Sequence, residues 1–403
     1  MNSTRDPELL STAEQITDLV EILNRSDVIA FDTEFIRETT FYPIVEIIQV
    51  AAGGRSWLVD SKAFKQKGQA GLQPLLDVFQ NQSILKIVHA AQGDQECLYT
   101  SFGVVASPIL DTAIAAALCG YGDGIGLGKL LKNVLGIIIK KGHARTNWSV
   151  RPLPPHLVEY AHADVEYMVE LGQKLLAKLD QLGRRDWALK LSSKLSNKSM
   201  YEPDVEAMAS RLARGAHLDG KGHAVLLELM GWREQRAKKL NLPRRWVVDD
   251  SVLVDIARVR PKDVSHLSAF RGLSKGELKN SGEQILACLK LGEKEVTQEQ
   301  GQTDISDIYR ATPDELHLIE LLKCYVGVLA VRHSISSRYL ITAEQIMTLI
   351  KKGLKTTKEL IDEGVFSHDV AGLIGDDLLS MLNGQRALSV KNNKVQVVGI
   401  DKQ

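Results

Sequence analysis

The sequence predicts an α/β domain built on a mixed sheet, followed by a second half made of two small all-α helical domains. Three observations carry that expectation: short apolar, strand-like runs crowd the stretch before residue 90, helical periodicity replaces them afterwards, and one helical pattern recurs twice in the second half. The 403 residues suffice for two or three domains with real cores. Hydrophobic residues make up 44% and charged residues 25%, an ordinary soluble mixture. The formal net charge is zero, so a polyanionic partner has to be held by local patches. Cys97, Cys119, Cys288 and Cys324 form no CxxC pair, which argues against a zinc site or a disulfide framework and fits a reducing cytoplasm. Apolar runs fall short of the roughly 18 residues of a membrane span, and "MNSTRDPELL" lacks the apolar core of a signal peptide. The expectation is a cytosolic protein with no membrane partner.

The elements follow in order. "DVIAFDTEF" (27–35) reads as a central strand, with the run Val28 to Phe31 closed by Phe35. "IVEIIQVAA" (44–52) and, after the turn Gly53-Gly54, "SWLVD" (56–60) follow so closely that an antiparallel meander is expected. A helix over 71–80 leads to a fourth strand, "ILKIVHA" (84–90). The pattern is then mostly helical to about residue 192, with an Ala-rich helix at 111–119, a Gly-rich link at 120–126 and one long helix from about Pro154 to Leu182. A charged, polar stretch around 185–205 reads as a connector. Beyond it no strand pattern stands out before "KVQVVGI" at the end. "LNLPRRWVVDDSVLVDIA" (240–257) is echoed by "SISSRYLITAEQIMTLI" (334–350), with Trp246 matching Tyr339 and Asp249 matching Thr342. The acidic, Gln-rich segment 292–304 reads as the linker between the two copies. The expected domains are therefore 1–192, 193–292 and 305–390.

The first strand carries two carboxylates. Side chains alternate along a strand, so Asp32 and Glu34 share a face, roughly 6 to 7 Å apart. Two like charges at the end of a hydrophobic strand repel and lose solvation, and a bound cation would offset that cost. The plainer reading is a turn aspartate and a solvated glutamate. In "VHAAQGDQECL" (88–98), His89 ends the fourth strand and Asp94 opens a helix, where a carboxylate is ordinarily stabilised by the helix dipole. In "EYAHADVEYM" (159–168), Tyr160 and Asp164 stand four apart on one helix face. Each is ordinary alone.

Their order is not. D-x-E on a first strand, H-A-x-x-x-D after the fourth and Y-x-x-x-D on a late helix resemble the three exonuclease motifs of the DEDD superfamily, in the subgroup named for its tyrosine. "FDTEFIRETTFYP" with "IIQV", and "RPLPPHLVEYAHADVEYM", resemble the ribonuclease D family more closely. Residues 231–261 resemble its helicase-and-RNase-D C-terminal (HRDC) module. The resemblance implies an RNase H-like exonuclease domain followed by two HRDC-like domains, the second divergent. Two departures stand out: Thr146-Asn147-Trp148 where the family often has S-D-W, and Glu46 in the second strand, which adds negative charge to the site if it points towards Asp32.

The resemblance implies metal-dependent hydrolysis of phosphodiesters from RNA 3′ ends, releasing nucleoside 5′-monophosphates, with 3′-extended tRNA precursors as the expected substrate and a monomer as the acting form. Such hydrolysis needs an activated water and neutralisation of charge on the leaving oxygen, which two divalent ions, Mg²⁺ or Mn²⁺, supply. Asp32 would bridge the ions, Glu34 and Asp164 would complete one, and Asp94 would hold the other. Tyr160 would orient the attacking water, since an unperturbed pKa near ~10 suits positioning rather than proton abstraction. His89 and Asp111 read by default as a structural histidine and a helix-start acid. For grip on nucleic acid, Arg233, Arg236, Lys238, Lys239, Arg244 and Arg245 are opposed locally only by Glu234, and Trp246 lies beside them. Basic residues beside aromatics suit phosphate contact with base stacking, against the alternative of a solvated helix face. Competing expectations are a DNA 3′→5′ exonuclease with the same acids and a non-catalytic nucleic-acid-binding protein.

Overall fold

The protein is described by a computed structural model covering residues 4–65, 70–140, 146–298 and 312–400. Its first half is a six-stranded mixed sheet in the order β1-β4-β3-β2-β5-β6. The strands are β1 (Thr4–Leu10), β2 (Val28–Ile36), β3 (Ile44–Ala52), β4 (Arg55–Asp60), β5 (Leu85–Val88) and β6 (Ile109–Asp111). β2, β3 and β4 form the expected antiparallel meander, while β1 runs parallel to β4, β5 to β2, and β6 to β5. Strands β1 and β6 escape sequence reading for physical reasons: β1 carries charges and a proline at the sheet edge, and β6 is only three residues long.

Helices cover both faces. On one lie α1 (Ala13–Leu23), α3 (Gln73–Gln80) and α4 (Gln92–Phe102), whose Ile16, Leu19, Leu75, Phe79 and Leu98 pack against Ile29, Phe31, Ile48 and Val50. The short α2 (Ser61–Lys65) follows β4. On the other face lie α5 (Thr112–Leu118), α6 (Leu127–Leu135), α7 (Pro155–Ala163), α8 (Met168–Gln181) and α9 (Arg185–Ser193). Two expectations are corrected here. The single long helix is two, α7 and α8, broken by a turn over 164–167; neither proline nor glycine marks the break, and Val165 within the turn and Met168 just after it both enter the core. The first part of the presumed connector is α9, and it belongs to this domain: Trp187 and Ala188 are buried, and the Ser192 hydroxyl oxygen accepts from the Asp111 N–H at 3.0 Å.

The second half is helical, with the strand pattern at its end forming a hairpin, β7 (Arg386–Lys391) and β8 (Lys394–Gly399). The first module comprises α10 (Val205–Gly215), α11 (Gly220–Leu240), α12 (Arg244–Val247), α13 (Asp250–Val259), α14 (Val264–Leu267) and α15 (Lys275–Gln298). The second has α16 (Pro313–Arg332), α17 (Ala343–Lys352), α18 (Thr357–Asp362), α19 (His368–Val370) and α20 (Asp376–Leu382). The internal echo is structural: Asp249 caps α13 and Thr342 caps α17, each accepting a backbone N–H from the first turn. The segment 292–298 is not linker but the end of α15, because Gly292 lies so close to α11 that an added Cβ would meet the Val225 Cα at 2.6 Å. Residues 299–304 of the expected linker lie outside the described residues.

The two modules attach differently. The first keeps its own core of Val225, Leu229, Leu253, Ile256 and Ile285, entered by Phe41 from the β2–β3 connection. Phe41 is 7% exposed, lies under the Arg244 guanidinium at 4.6 Å, and donates its N–H to Asn241. The second shares one continuous apolar cluster with the exonuclease domain, in which Leu110, Leu118 and Leu175 join Leu322, Tyr325 and Leu378. Arg184 bridges them, donating to the carbonyl oxygens of Leu118 and His333.

Candidate active site

The acids gather towards the carboxyl ends of β2, one of the two central strands of the sheet, and of β5, its parallel neighbour. Alternation along β2 sends Phe31 and Thr33 into one face and Asp32 and Glu34 to the other, where α7 and its following turn bring Asp164. Ligand oxygens of Asp32, Glu34 and Asp164 lie within 4.8 Å of one another. Asp94, in the first turn of α4, is 6% exposed and stands outside that trio because Thr33 holds it: the Thr33 N–H and hydroxyl donate to one carboxylate oxygen at 3.0 and 2.5 Å. It remains near enough to act on Asp32 electrostatically.

The electrostatics follow from crowding. Burial, then the charges of Asp94, Asp164 and Glu34, push Asp32 well above the usual carboxylate range. Burial together with Asp164 and Asp94 raises Glu34 to about 8. Burial raises Asp94 to about 7, against the opposing Thr33 hydrogen bonds. It raises Asp164 to about 6, against a hydrogen bond from Tyr160. Four carboxyls that resist ionisation together suit a divalent cation, which stabilises their charged forms and prefers hard oxygen ligands. The donor set therefore fits a hard divalent cation.

Tyr160 is half-buried, donates its hydroxyl to Asp164, and is itself driven up in pKa by burial and by Asp164 and Glu34, so the phenol keeps its proton. Its ring lies 6.1 Å from that of Trp148, which is buried with Ile47, Leu58, Leu153 and Leu157 behind it. Sequence reading passed over what anchors this support. Arg151 reaches both oxygens of Asp60 at 2.6 and 2.7 Å and donates to the carbonyls of Trp148, Val150 and Glu46, pinning the loop before α7. The R-P-L segment and an aspartate closing a strand are both visible in the sequence, but 91 positions apart, so nothing local pairs them.

Other residues resolve into structural roles. Asp111 caps α5 and also accepts the N–H groups of Ala90 and Ala91, both at 3.0 Å, holding Ala90 at φ 56° just before α4. His89 lies 2.8 Å from the Thr112 hydroxyl, and burial lowers its pKa. Glu46 neither faces Asp32 nor points outward: it is 4% exposed and pairs with Lys65 at 3.7 Å.

The basic cluster needs correction. The sequence neighbourhood shows only Glu234 opposing it, but the fold brings in Asp250 and Glu277. Arg233 is buried against Asp250 at 2.6 Å, Arg236 pairs with Glu277, and Arg244 grips Glu234 with two hydrogen bonds. These three are committed to structure. Lys238, 3.9 Å from Glu234, and Lys239, Arg245 and Trp246 are exposed.

Comparison with known proteins agrees with this architecture. The family described as 3′-5′ exonuclease matches residues 7–180, and the HRDC domain family matches residues 222–289. Ribonuclease D of Nitrobacter hamburgensis is 31% identical over 96% of this chain and 98% of that protein. Ribonuclease D of Gluconacetobacter diazotrophicus is 30% identical, over 97% of this chain and 96% of that one. The crystal structure of Escherichia coli RNase D, an exoribonuclease involved in structured RNA processing, superposes with a TM-score of 0.76 at 26% identity, covering 95% of this chain and 99% of the other. Among the described residues, no helix is long and apolar enough to cross a membrane.

Proposed function

The chain belongs to the ribonuclease D family of 3′→5′ exoribonucleases, and we propose that Asp32, Glu34, Asp94, Tyr160 and Asp164 are its catalytic residues. The convergence of Asp32, Glu34 and Asp164 carries this reading. Asp32, Glu34 and Asp164 would hold one divalent ion, Mg²⁺ or Mn²⁺, and Asp94 with Asp32 would hold a second. When bound, such ions would supply water activated near neutral pH and an offset for charge on the departing 3′ oxygen. The chain's own groups do the positioning. Thr33 fixes Asp94, the Trp148 ring supports Tyr160, and the Tyr160 hydroxyl, its proton donated to Asp164, accepts a hydrogen bond from the attacking water and so orients it.

The substrate we assign is the 3′ end of structured RNA, such as 3′-extended tRNA precursors, trimmed to nucleoside 5′-monophosphates by a monomer. Support comes from the helical module docked beside β2 through Phe41, which offers Lys238, Lys239, Arg245 and Trp246 to a long substrate. We propose a catalytic domain of about 1–192 and two HRDC-like modules, the first running to the end of α15 and the second from α16 through the β7–β8 hairpin. The test is digestion of 3′-extended tRNA, single-stranded RNA and single-stranded DNA side by side, with Mg²⁺, Mn²⁺ or chelator. Preference for the tRNA precursor supports the assignment, and preference for DNA transfers it to a DNA exonuclease.

A further inference from the structure

Gln49 presents a contradiction. It is completely buried, yet neither its Oε1 nor its Nε2 has a hydrogen-bond partner. A buried amide in that condition is destabilising, and an apolar side chain of the same size would not be. Its position is informative. Gln49 on β3 is directly opposite Asp32 on β2, and opposite Leu58 on β4. Side chains of directly opposed residues project to the same face with Cβ atoms roughly 4.5–5.5 Å apart, which puts the Asp32 carboxylate within reach of the amide through a side-chain rotation. The other neighbours on that face are Ile47 and Ala51 along β3 and Leu58 across it, and their side chains contain no polar atom. Asp32 is the one polar side chain among these register neighbours that the amide can serve.

We propose that Gln49 is a positioning residue for Asp32: when a divalent cation is bound, its Nε2, unpartnered in the cation-free protein, donates to the carboxylate and fixes its orientation. The inference rests on the metal-site reading above. An ionised carboxylate has about four lone-pair sites, so a cation and a neutral donor can occupy it together. A neutral donor also suits this place better than a lysine or arginine would, because it orients Asp32 without competing with the cation for its charge. Side chains that hold a metal ligand in this way typically contribute tenfold to a hundredfold in metal affinity.

The experiment compares the full-length protein with Gln49→Leu and Gln49→Met, both of similar volume. Mn²⁺ affinity is read from the electron paramagnetic resonance signal of free Mn²⁺, and the melting temperature is measured in chelator. The expected result is Mn²⁺ affinity reduced about tenfold, with the melting temperature in chelator unchanged or raised because an unpartnered amide has gone. Affinity within twofold of wild type in either folded variant overturns the proposal. So does a parallel loss of melting temperature and affinity in both variants, which would make Gln49 a packing residue. Failure of the wild type to bind Mn²⁺ would instead overturn the metal-site reading itself, which keeps the two failures apart.

Discussion

Thr33 donates twice to the same Asp94 oxygen, through its N–H at 3.0 Å and its hydroxyl at 2.5 Å, and thereby ties the first turn of α4 to the strand that carries Asp32 and Glu34. Hydrogen bonds to charged groups contribute about 1.5–3 kcal/mol. Thr33→Val keeps the shape and removes one of them. Turnover should fall about tenfold with little change in KM, since Asp94 would be held but misaimed. Steady-state kinetics on a short RNA check this, and an unchanged turnover would make the hydroxyl incidental.

Asp32→Ala and Asp164→Ala should abolish activity while leaving the fold intact. Removing either carboxylate relieves repulsion among the four, so the melting temperature in chelator should hold or rise. Activity that survives in excess chelator, or in Asp32→Ala, would end the proposed mechanism.

The acids also set a pH dependence whose sign is unusual for carboxylates. The folded, cation-free protein keeps protons on Glu34 up to about 8, on Asp94 to about 7 and on Asp164 to about 6, against ordinary values of 4.5, 3.8 and 3.8. The unfolded chain releases them from about pH 4 upward. The stability these groups contribute is therefore complete below that pH and is lost as pH rises towards about 8. Cation binding must displace those protons. The gain in melting temperature from Mg²⁺ over chelator should grow between about pH 5 and about pH 8. Calorimetry in buffers of different ionisation heat should register proton release, and a gain independent of pH would contradict this account.

Tyr160→Phe keeps the ring that packs near Trp148 and removes the hydroxyl. Single-turnover rates should fall by at least about tenfold while RNA affinity stays near wild type, because the lost interaction belongs to the transition state. Equal single-turnover rates would reduce Tyr160 to packing.

In the first helical module, position separates two outcomes. Arg244→Ala loses two hydrogen bonds to Glu234 and the stacking on Phe41, so it should lower the melting temperature. The double change Lys239→Ala and Arg245→Ala should leave the melting temperature alone, weaken binding of a tRNA precursor, and flatten its salt dependence by roughly 0.7 in slope for each phosphate no longer neutralised. Cleavage of a very short oligonucleotide should barely change. A salt slope equal to wild type would place these residues off the RNA.

What was legible in the sequence was what local chemistry determines. Alternation in "DVIAFDTEF" implied that Asp32 and Glu34 share a face, and the structure puts them there. The echo of Trp246 in Tyr339, and of Asp249 in Thr342, revealed a repeat because capping and packing act over a few residues. What stayed hidden depends on long-range contact. Asp250 and Glu277 neutralise arginines that look free in sequence, Arg151 finds Asp60 across 91 positions, and the break at Asp164 answers to packing on the sheet. The Gly292 crossing likewise turns an apparent linker into helix.

The arginine bridge from Arg184 to Leu118 and His333, and the Gly120 turn, where an added Cβ would come within 2.9 Å of the Ser334 carbonyl oxygen, mark how tightly the second module is set against the exonuclease domain. Of the two repeats, only the first could be swapped or retuned without exposing the heart of the enzyme. Cutting the chain after α15 would not yield a smaller nuclease with weaker grip. It would lay open the apolar flanks of α5, α8 and α9, and bare surface of that kind draws copies of a protein into aggregates. The duplicated unit has thus become a buttress, and natural variation that alters RNA preference should concentrate in its sibling.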